Sequence, residues 1–351
     1  MLPENPSSLH GAVRTGRDLG AWRAAALELE GEINTVILGQ EAAVRLMNVA
    51  VFARGHVLLE GDVGVGKTTL LRSVAHVIGG GYERIEGTID LLPSDLIYYT
   101  YVDAEGKPKV APGPLLKHGA ALSTFFFNEV NRARPQMHSL LLRVMAERSV
   151  TAFNREYHFP HLQVFADRNK VEKEETFEIP AAARDRFLME IEIKAPRDPE
   201  LQRALMTDTR FHDVDRLLQE LTEGLLAYDE LNDVAGSVQS HVQATRALQD
   251  YALDLCRATS QPAAFGVRMS DVEVDQLVQS GVSPRGASML LRAARVAAWL
   301  NGRDSVLPGD IHQVFHSTIG HRVFLKPVYE LRRSDIIGEF LDEVLKRVSA
   351  P

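Results

Sequence analysis

The segment Gly61-Asp62-Val63-Gly64-Val65-Gly66-Lys67-Thr68 fits the pattern G-x-x-x-x-G-K-[ST] at every fixed position. Glycines at that spacing let backbone N–H groups turn inward around an anion. Lys67 then places a point charge on the β- and γ-phosphates of a nucleotide, and Thr68 offers a hydroxyl to Mg²⁺. A helix beginning at Lys67 aims the positive end of its dipole at the same anion. The segment from Gly61 through Thr69 therefore reads as a binding site for ATP and Mg²⁺.

Hydrolysis needs further groups at the ends of nearby strands. Phe125-Phe126-Phe127-Asn128-Glu129 has the form of a buried strand ending in two polar residues. Glu129 is the candidate for polarising the attacking water; its plain alternative is an exposed strand-end carboxylate. Asn128 can accept a hydrogen bond from metal-bound water through its amide oxygen. It lacks the charge that strengthens such a bond, a loss on the order of 1 kcal/mol. Either magnesium binding is weaker here or the residue slows turnover, and the sequence leaves both open. Val164-Phe-Ala-Asp-Arg-Asn169 supplies a third strand end, with Asn169 the first candidate to sense the γ-phosphate and Asp167 the alternative.

The elements that must position these groups alternate. Residues 19–33 carry helix-like apolar spacing in Leu19, Trp22, Ala26, Leu27 and Ile33, after a mixed N-terminal stretch of about 25 residues expected to be loose. Residues 56–61 read as a short buried strand, and 67–78 as a helix stopped by Gly79-Gly80-Gly81. Further apolar runs at 84–87, 123–127, 162–166 and 189–193 are separated mostly by helical patterns, which predicts a parallel sheet covered on both faces. Pro196 and Pro199 mark a linker, and the chain beyond reads as helices only, at 217–227, 242–258, 284–300 and 310–317. The expected organisation is an N-terminal extension with a helix at 1–30, an α/β nucleotide-binding domain at 31–197 and a smaller all-helical lid at 198–351.

The 351 residues carry a net charge of −8 and a single cysteine, Cys256. The acidic balance argues against a nucleic-acid binder, as does the lack of a basic tract. One cysteine excludes an internal disulfide, and with no secretory signal at Met1 and no apolar run near 20 residues the expected setting is the cytoplasm.

These segments, in this order, resemble an AAA+ ATPase, and more closely the MoxR family. The resemblance rests on Val36-Ile-Leu-Gly39-Gln40, the run from Gly55 into the P-loop, Asp90-Leu-Leu-Pro-Ser-Asp95, Asn128-Glu-Val-Asn-Arg-Ala133, 140–148, Asp185-Arg186-Phe187 and Val282-Ser-Pro-Arg285. It covers roughly residues 30–320 and many independent motifs. It implies a P-loop AAA+ core with two β-hairpin insertions and a helical lid, Gly39 and Gln40 beside the adenine, and Thr68 and Asn128 at the metal. Lys67, Glu129 and Asn169 would serve catalysis. Arg186 resembles an arginine finger that reaches a neighbouring subunit's ATP, and Arg285 resembles the second sensor on the lid. A finger in trans implies a ring, expected to be a hexamer. The family usually has Asp-Glu where this chain has Asn128-Glu129, and Ala-Thr-Gln-Asn-Pro where it has Ala166-Asp-Arg-Asn-Lys170.

Hairpins are expected at 97–111, around the turn-rich 103–108, and at 149–159, around Asn154-Arg155. Both positions match the insertions of the AAA+ branch to which MoxR proteins are similar, where such hairpins face a pore. Tyr98, Tyr99, Tyr101 and Phe153 could grip a client chain; ordinary strand packing is the expectation for at least half of them. The resemblance implies ATP-driven maturation of a client enzyme, including metal or cofactor insertion of the methanol-dehydrogenase kind, with a von Willebrand factor A domain partner. Nucleic-acid remodelling and a slowly hydrolysing nucleotide-binding scaffold are the alternatives, the second kept open by Asn128.

Overall fold

A computed structural model describes residues 18–170 and 176–351. The expected loose stretch and the absence of a signal at Met1 fall mainly on residues outside this range. Within it, helix α1 (Leu19–Val36) starts where the helix-like apolar spacing starts and runs unbroken past residue 30. Its apolar stripe buries Trp22, Ala26, Leu29 and Ile33, while Leu27 faces outward. Asp18 caps it by accepting from the Ala21 amide at 2.7 Å.

The chain continues through α2 (Glu41–Phe52), β1 (His56–Gly61), α3 (Lys67–Ile78) and β2 (Gly81–Glu86). A short α4 (Pro93–Ile97) leads to a hairpin of β3 (Tyr98–Val102) and β4 (Pro108–Pro112), and then to β5 (Leu122–Asn128) and α5 (Pro135–Glu147). A second hairpin, β6 (Ser149–Ala152) with β7 (Arg155–His158), precedes β8 (Gln163–Asn169), α6 (Ala181–Arg184) and β9 (Phe187–Ile193). The five central strands form one parallel sheet in the order β2-β5-β8-β1-β9. That order brings the ends of β1, β5 and β8, each followed by a polar loop, side by side.

Alternation along β5 divides the interior. Phe126 joins the core between the sheet and α3, whereas Phe125 and Phe127 join the core under α5. Beyond residue 197 lie α7 (Pro199–Thr207), α8 (Val214–Gln219), α9 (Leu231–His241), α10 (Arg246–Ser260), α11 (Val274–Leu277), α12 (Pro284–Leu300), α13 (Pro308–Ile319), α14 (Pro327–Glu330) and α15 (Arg333–Arg347). The α3-side core runs without a break into this region, through Leu255, Leu290, Phe315 and Phe340.

Three differences from expectation have local causes. Residues 220–227 are turns, not helix: Gly224 takes a positive φ, and the amides of Gly224 and Leu226 donate to the carbonyls of His76 and Val77, which α3 cannot satisfy at its own end. The helix expected from 242 starts at Arg246 because the Thr245 hydroxyl caps it. The lid is not all-helical, since β10 (Val278–Ser280) pairs antiparallel with β11 (Phe324–Leu325), a contact between segments too short to show a period of two.

His56, at the start of β1, is buried and fully bonded as the neutral imidazole: Nε2 lies 3.1 Å from the Met145 carbonyl, and Nδ1 accepts from the Val164 amide at 2.9 Å. Burial pushes its pKa down from 6.5 to about 3, with Arg148, Arg54 and Arg292 adding to the effect against the Met145 bond. Below pH 6.5 the unfolded chain takes up a proton that the fold refuses until about pH 3. This histidine therefore lowers stability across that window, by about 1.4 kcal/mol per pH unit. Urea unfolding at pH 7, 6 and 5 should show a shallower decline for His56→Asn than for the parent; equal slopes would remove His56 as a source of the acid sensitivity.

Candidate active site

The P-loop bends back on itself through two left-handed glycines, Gly64 (φ 79°) and Gly66 (φ 90°), and Gly66 opens α3. Gly61 is held close to β9; a Cβ there would lie 2.4 Å from the Ile193 carbonyl oxygen. Lys67 is 6% exposed. Its ammonium donates to the carbonyls of Gly61 and Asp62, both at 2.9 Å, and to Asn169 Oδ1 at 2.6 Å. Beside the loop a cavity of about 500 Å³ is bounded by Gln40, Val65, Gly66, Thr69 and Pro196. Gln40 donates to the Lys194 carbonyl, and Gly39, with a positive φ and Pro196 against it, turns the chain so that Gln40 lines this cavity. Asp62 and Val63 are exposed at the loop's outer side.

Sequence reasoning missed the cavity's roof. Leu205 and Met206 of α7, with Phe211, Val214 and Leu217 beyond it, close the cavity from the second region. The signal was the amphipathic run after Pro199, which reads as an ordinary helix until its neighbour is known.

At the ends of β5 and β8 the expected residues converge. Asn169 Nδ2 donates to Glu129 Oε1 at 3.1 Å, and Arg132 donates to Glu129 Oε2 at 2.8 Å. A continuous path therefore links Lys67, Asn169 and Glu129. Glu129 itself sits at φ 52°, a left-handed conformation unusual for a residue with a side chain. Its backbone amide donates to Asp167 Oδ1 at 2.6 Å. Asp167, the alternative sensor, therefore bonds the backbone of Glu129, whereas Asn169 contacts both the lysine and the glutamate side chain. Burial raises the Asp167 pKa to about 6, against the Glu129 amide and Lys67, which lower it; Glu129 and Glu86 add repulsion.

Asn128 is 6% exposed, and its amide Nδ2 donates to Glu86 Oε1 across the β2–β5 pair. Glu86 and Gly87 were both missed from sequence. A Cβ on Gly87 would lie 2.1 Å from the Glu129 carbonyl oxygen, so glycine is required for the loop after β2 to pack on the Glu129 turn.

The two arginines stand elsewhere. Arg186 immediately precedes β9, whose first residue pairs with His56, while Gly61 pairs with Ile193. Six residues at about 3.3 Å each put Arg186 roughly 20 Å along the sheet from this chain's own P-loop. Arg186 donates to the Ala182 carbonyl at 2.7 Å. Arg285, in the first turn of α12, pairs with Asp185 at 3.2 Å, so it lies beside Arg186 and not over the chain's own cradle.

Family comparison agrees with this geometry. Residues 56–189 match the model for the ATPase family associated with various cellular activities (AAA), and residues 271–340 match the AAA lid domain. Protein MoxR of Methylorubrum extorquens is 56% identical across 94% of this chain and 96% of its own length. The chain belongs to the MoxR family of AAA+ ATPases. Chaperone MoxR1 of Mycobacterium tuberculosis is 34% identical over 91% of this chain and 81% of its own. A crystal structure of a candidate ATPase from Cytophaga hutchinsonii superposes with a TM-score of 0.80 at 28% identity, covering 95% of this chain and 97% of that one. The MoxR assignment accounts for the sheet order, the two hairpins and the lid.

The donor set fits a magnesium nucleotide: a loop with two left-handed glycines, a buried ammonium beside it, and a hydroxyl at the start of α3. Gly87→Ala should displace the Glu129 turn, lowering stability by about 1–3 kcal/mol through overpacking. Thermal melts would register it; an unchanged melting temperature would show that the loop after β2 yields freely.

Proposed function

We propose that this MoxR-family chain binds and hydrolyses ATP with Mg²⁺ in a ring of its own copies, hexameric by analogy with AAA+ proteins, and uses the cycle to remodel a client protein. The path Lys67–Asn169–Glu129 carries the reading, because it ties the phosphate cradle to the carboxylate that would orient an attacking water. Bound ATP and Mg²⁺ supply the labile phosphate bond and the charge that polarises it. Thr68 and Asn128 would hold the metal, with Gly39, Gln40 and the residues from Gly61 to Thr69 around the nucleotide. Lys67 would turn to phosphate oxygens, strong partners for an ammonium. Asn169, bonded to both ends, would pass that change to Glu129.

Arg186 and Arg285 fit an action in trans. Both lie toward the opposite end of the strands from the chain's own P-loop, so a second copy must bring its cradle to them. Their planar guanidinium groups suit phosphate oxygens.

Client contact falls to the hairpins. Tyr98, Tyr99, Tyr101 and Phe153 are all between 37% and 56% exposed, where ordinary packing was expected for half. Phe153 lies in the turn between β6 and β7, at φ 51°, and its ring stands 5.5 Å from that of Tyr98, so the two hairpins meet there, while Tyr99 and Tyr101 pair on the other face of β3. A client enzyme maturing around a metal or cofactor, and a von Willebrand factor A domain partner, complete the reading. Among the described residues no helix is long and apolar enough to cross a membrane. A cytoplasmic location is consistent with the lone cysteine. A slowly hydrolysing scaffold is the second reading, which Asn128 favours.

Steady-state ATPase rates separate the two. Glu129→Gln should lower turnover by roughly 10²–10⁴ while keeping nucleotide affinity. Arg186→Ala should also be inactive alone. Mixing the two variants should restore activity, because some interfaces then pair an intact Glu129 with an intact Arg186. Mixtures as silent as their components would sink the trans assignment, and a silent parent would favour the scaffold.

A further inference from the structure

Asn128 occupies the place where the family usually carries an aspartate, and an amide brings no charge to a metal-bound water. The sheet's register shows where a charge stands instead. Glu86 is the direct partner of Asn128 across β2 and β5. Both residues lie on the α3 face of the sheet: Asn128 is two residues beyond Phe126, and Arg84, two before Glu86, stacks its guanidinium 5.6 Å from the Phe126 ring. Asn128 donates its Nδ2 to Glu86 Oε1. The amide is thereby fixed, and its Oδ1 is turned away from Glu86.

Other groups near Asn128 are committed differently. Asp167, on the strand at the other side, gives Oδ1 to the Glu129 amide and is 2% exposed. Glu129 is shared between Asn169 and Arg132. Glu86 has a half-exposed side chain, and its second oxygen pairs with Arg84 at 2.9 Å. An exposed pair of that kind leaves most of the carboxylate's field in place.

We propose that Glu86 is a positioning residue for the magnesium site, supplying through Asn128 the negative charge that Asn128 lacks. A carboxylate accepting from the amide N–H holds the amide in one orientation and polarises its carbonyl oxygen, which becomes a better acceptor for metal-bound water. Charge and ligand, joined in one aspartate elsewhere in the family, are here divided between neighbouring strands. The proposal rests on the ATP–Mg²⁺ reading of the site.

The test is the affinity for a fluorescent ATP analogue, measured with and without Mg²⁺, for the parent, Glu86→Gln and the exchange Glu86→Gln/Asn128→Asp. Glu86→Gln should raise the magnesium concentration needed for half-maximal tightening by roughly tenfold, the usual gap between charged and neutral hydrogen bonds. Affinity without magnesium should stay within about twofold, since the cradle is untouched. The exchange variant, which returns the carboxylate to position 128, should recover most of the loss. An unchanged magnesium requirement in Glu86→Gln would overturn the proposal, and so would a loss that the exchange fails to recover, which marks a merely structural contact. A parent that binds no nucleotide under either condition would overturn the ATP reading itself, an outcome distinct from both.

Discussion

A buried ammonium is the constraint from which the site follows. Lys67 has little access to water, and a cation taken out of water must be ringed by oxygens. The oxygens come from three places that only this topology joins: the first two residues of the P-loop and the end of β8. Gly61 can serve because it has no side chain to strike β9, and Asn169 can serve because Gly61 pairs with it directly across β1 and β8. Loop shape and strand register together therefore fix what the lysine touches. A nucleotide's phosphates meet the same demand with full charges, which makes the lysine an acceptor of exchange and not a fixed strut.

Legibility in the sequence followed the range of the interaction that decides each feature. Strand β1 and helix α3 were read to the residue, because glycines punctuate both ends and the P-loop pattern is local. The start of α12 was equally plain from Ser283 and Pro284. Residues 220–227 were misread because their conformation is set by the carbonyls of α3, about 150 residues earlier in the chain. Glu86 and Gly87 escaped for the same reason: nothing around them in sequence shows that Asn128 and Glu129 lie across the strand pair. Phe153 was read as strand because aromatic residues favour strands, yet a tight two-residue turn between β6 and β7 overrode that preference.

The far end of the sheet is organised around one carboxylate. Asp185 receives Ser283 at 2.9 Å, Arg285 at 3.2 Å and the Nε of Arg322 at 3.2 Å, all from beyond residue 197. Arg322 is almost wholly buried, and burial lowers its pKa to about 10 although Asp185 opposes the shift. A buried cation of this kind holds its anion firmly, since separating them would strand the charge. Asp185 is adjacent to Arg186, so the lid and the proposed finger are fastened to one another. Three side chains of the lid thus meet the residue next to Arg186, and α12 and the start of β9 are tied at one point.

The same economy of neighbours explains why an amide at position 128 suits this chain. Parallel strands about 4.8 Å apart place strand-end residues side by side. Glu86 pairs with Asn128, and the pairing of Phe127 with Ala166 puts Asp167 next on the other side. An aspartate at 128 would set three carboxylates in adjacent positions. Each added neighbour at about 5 Å would cost on the order of 3 kcal/mol at an effective dielectric constant near 20. Asn128 removes the central charge, donates to Glu86 and leaves Asp167 free to hold the Glu129 amide. The departures from the family pattern at 128 and 167 are then not two independent losses. They are linked through the register of the sheet, because a neutral residue at 128 spares the carboxylates at 86 and 167 a third charge between them.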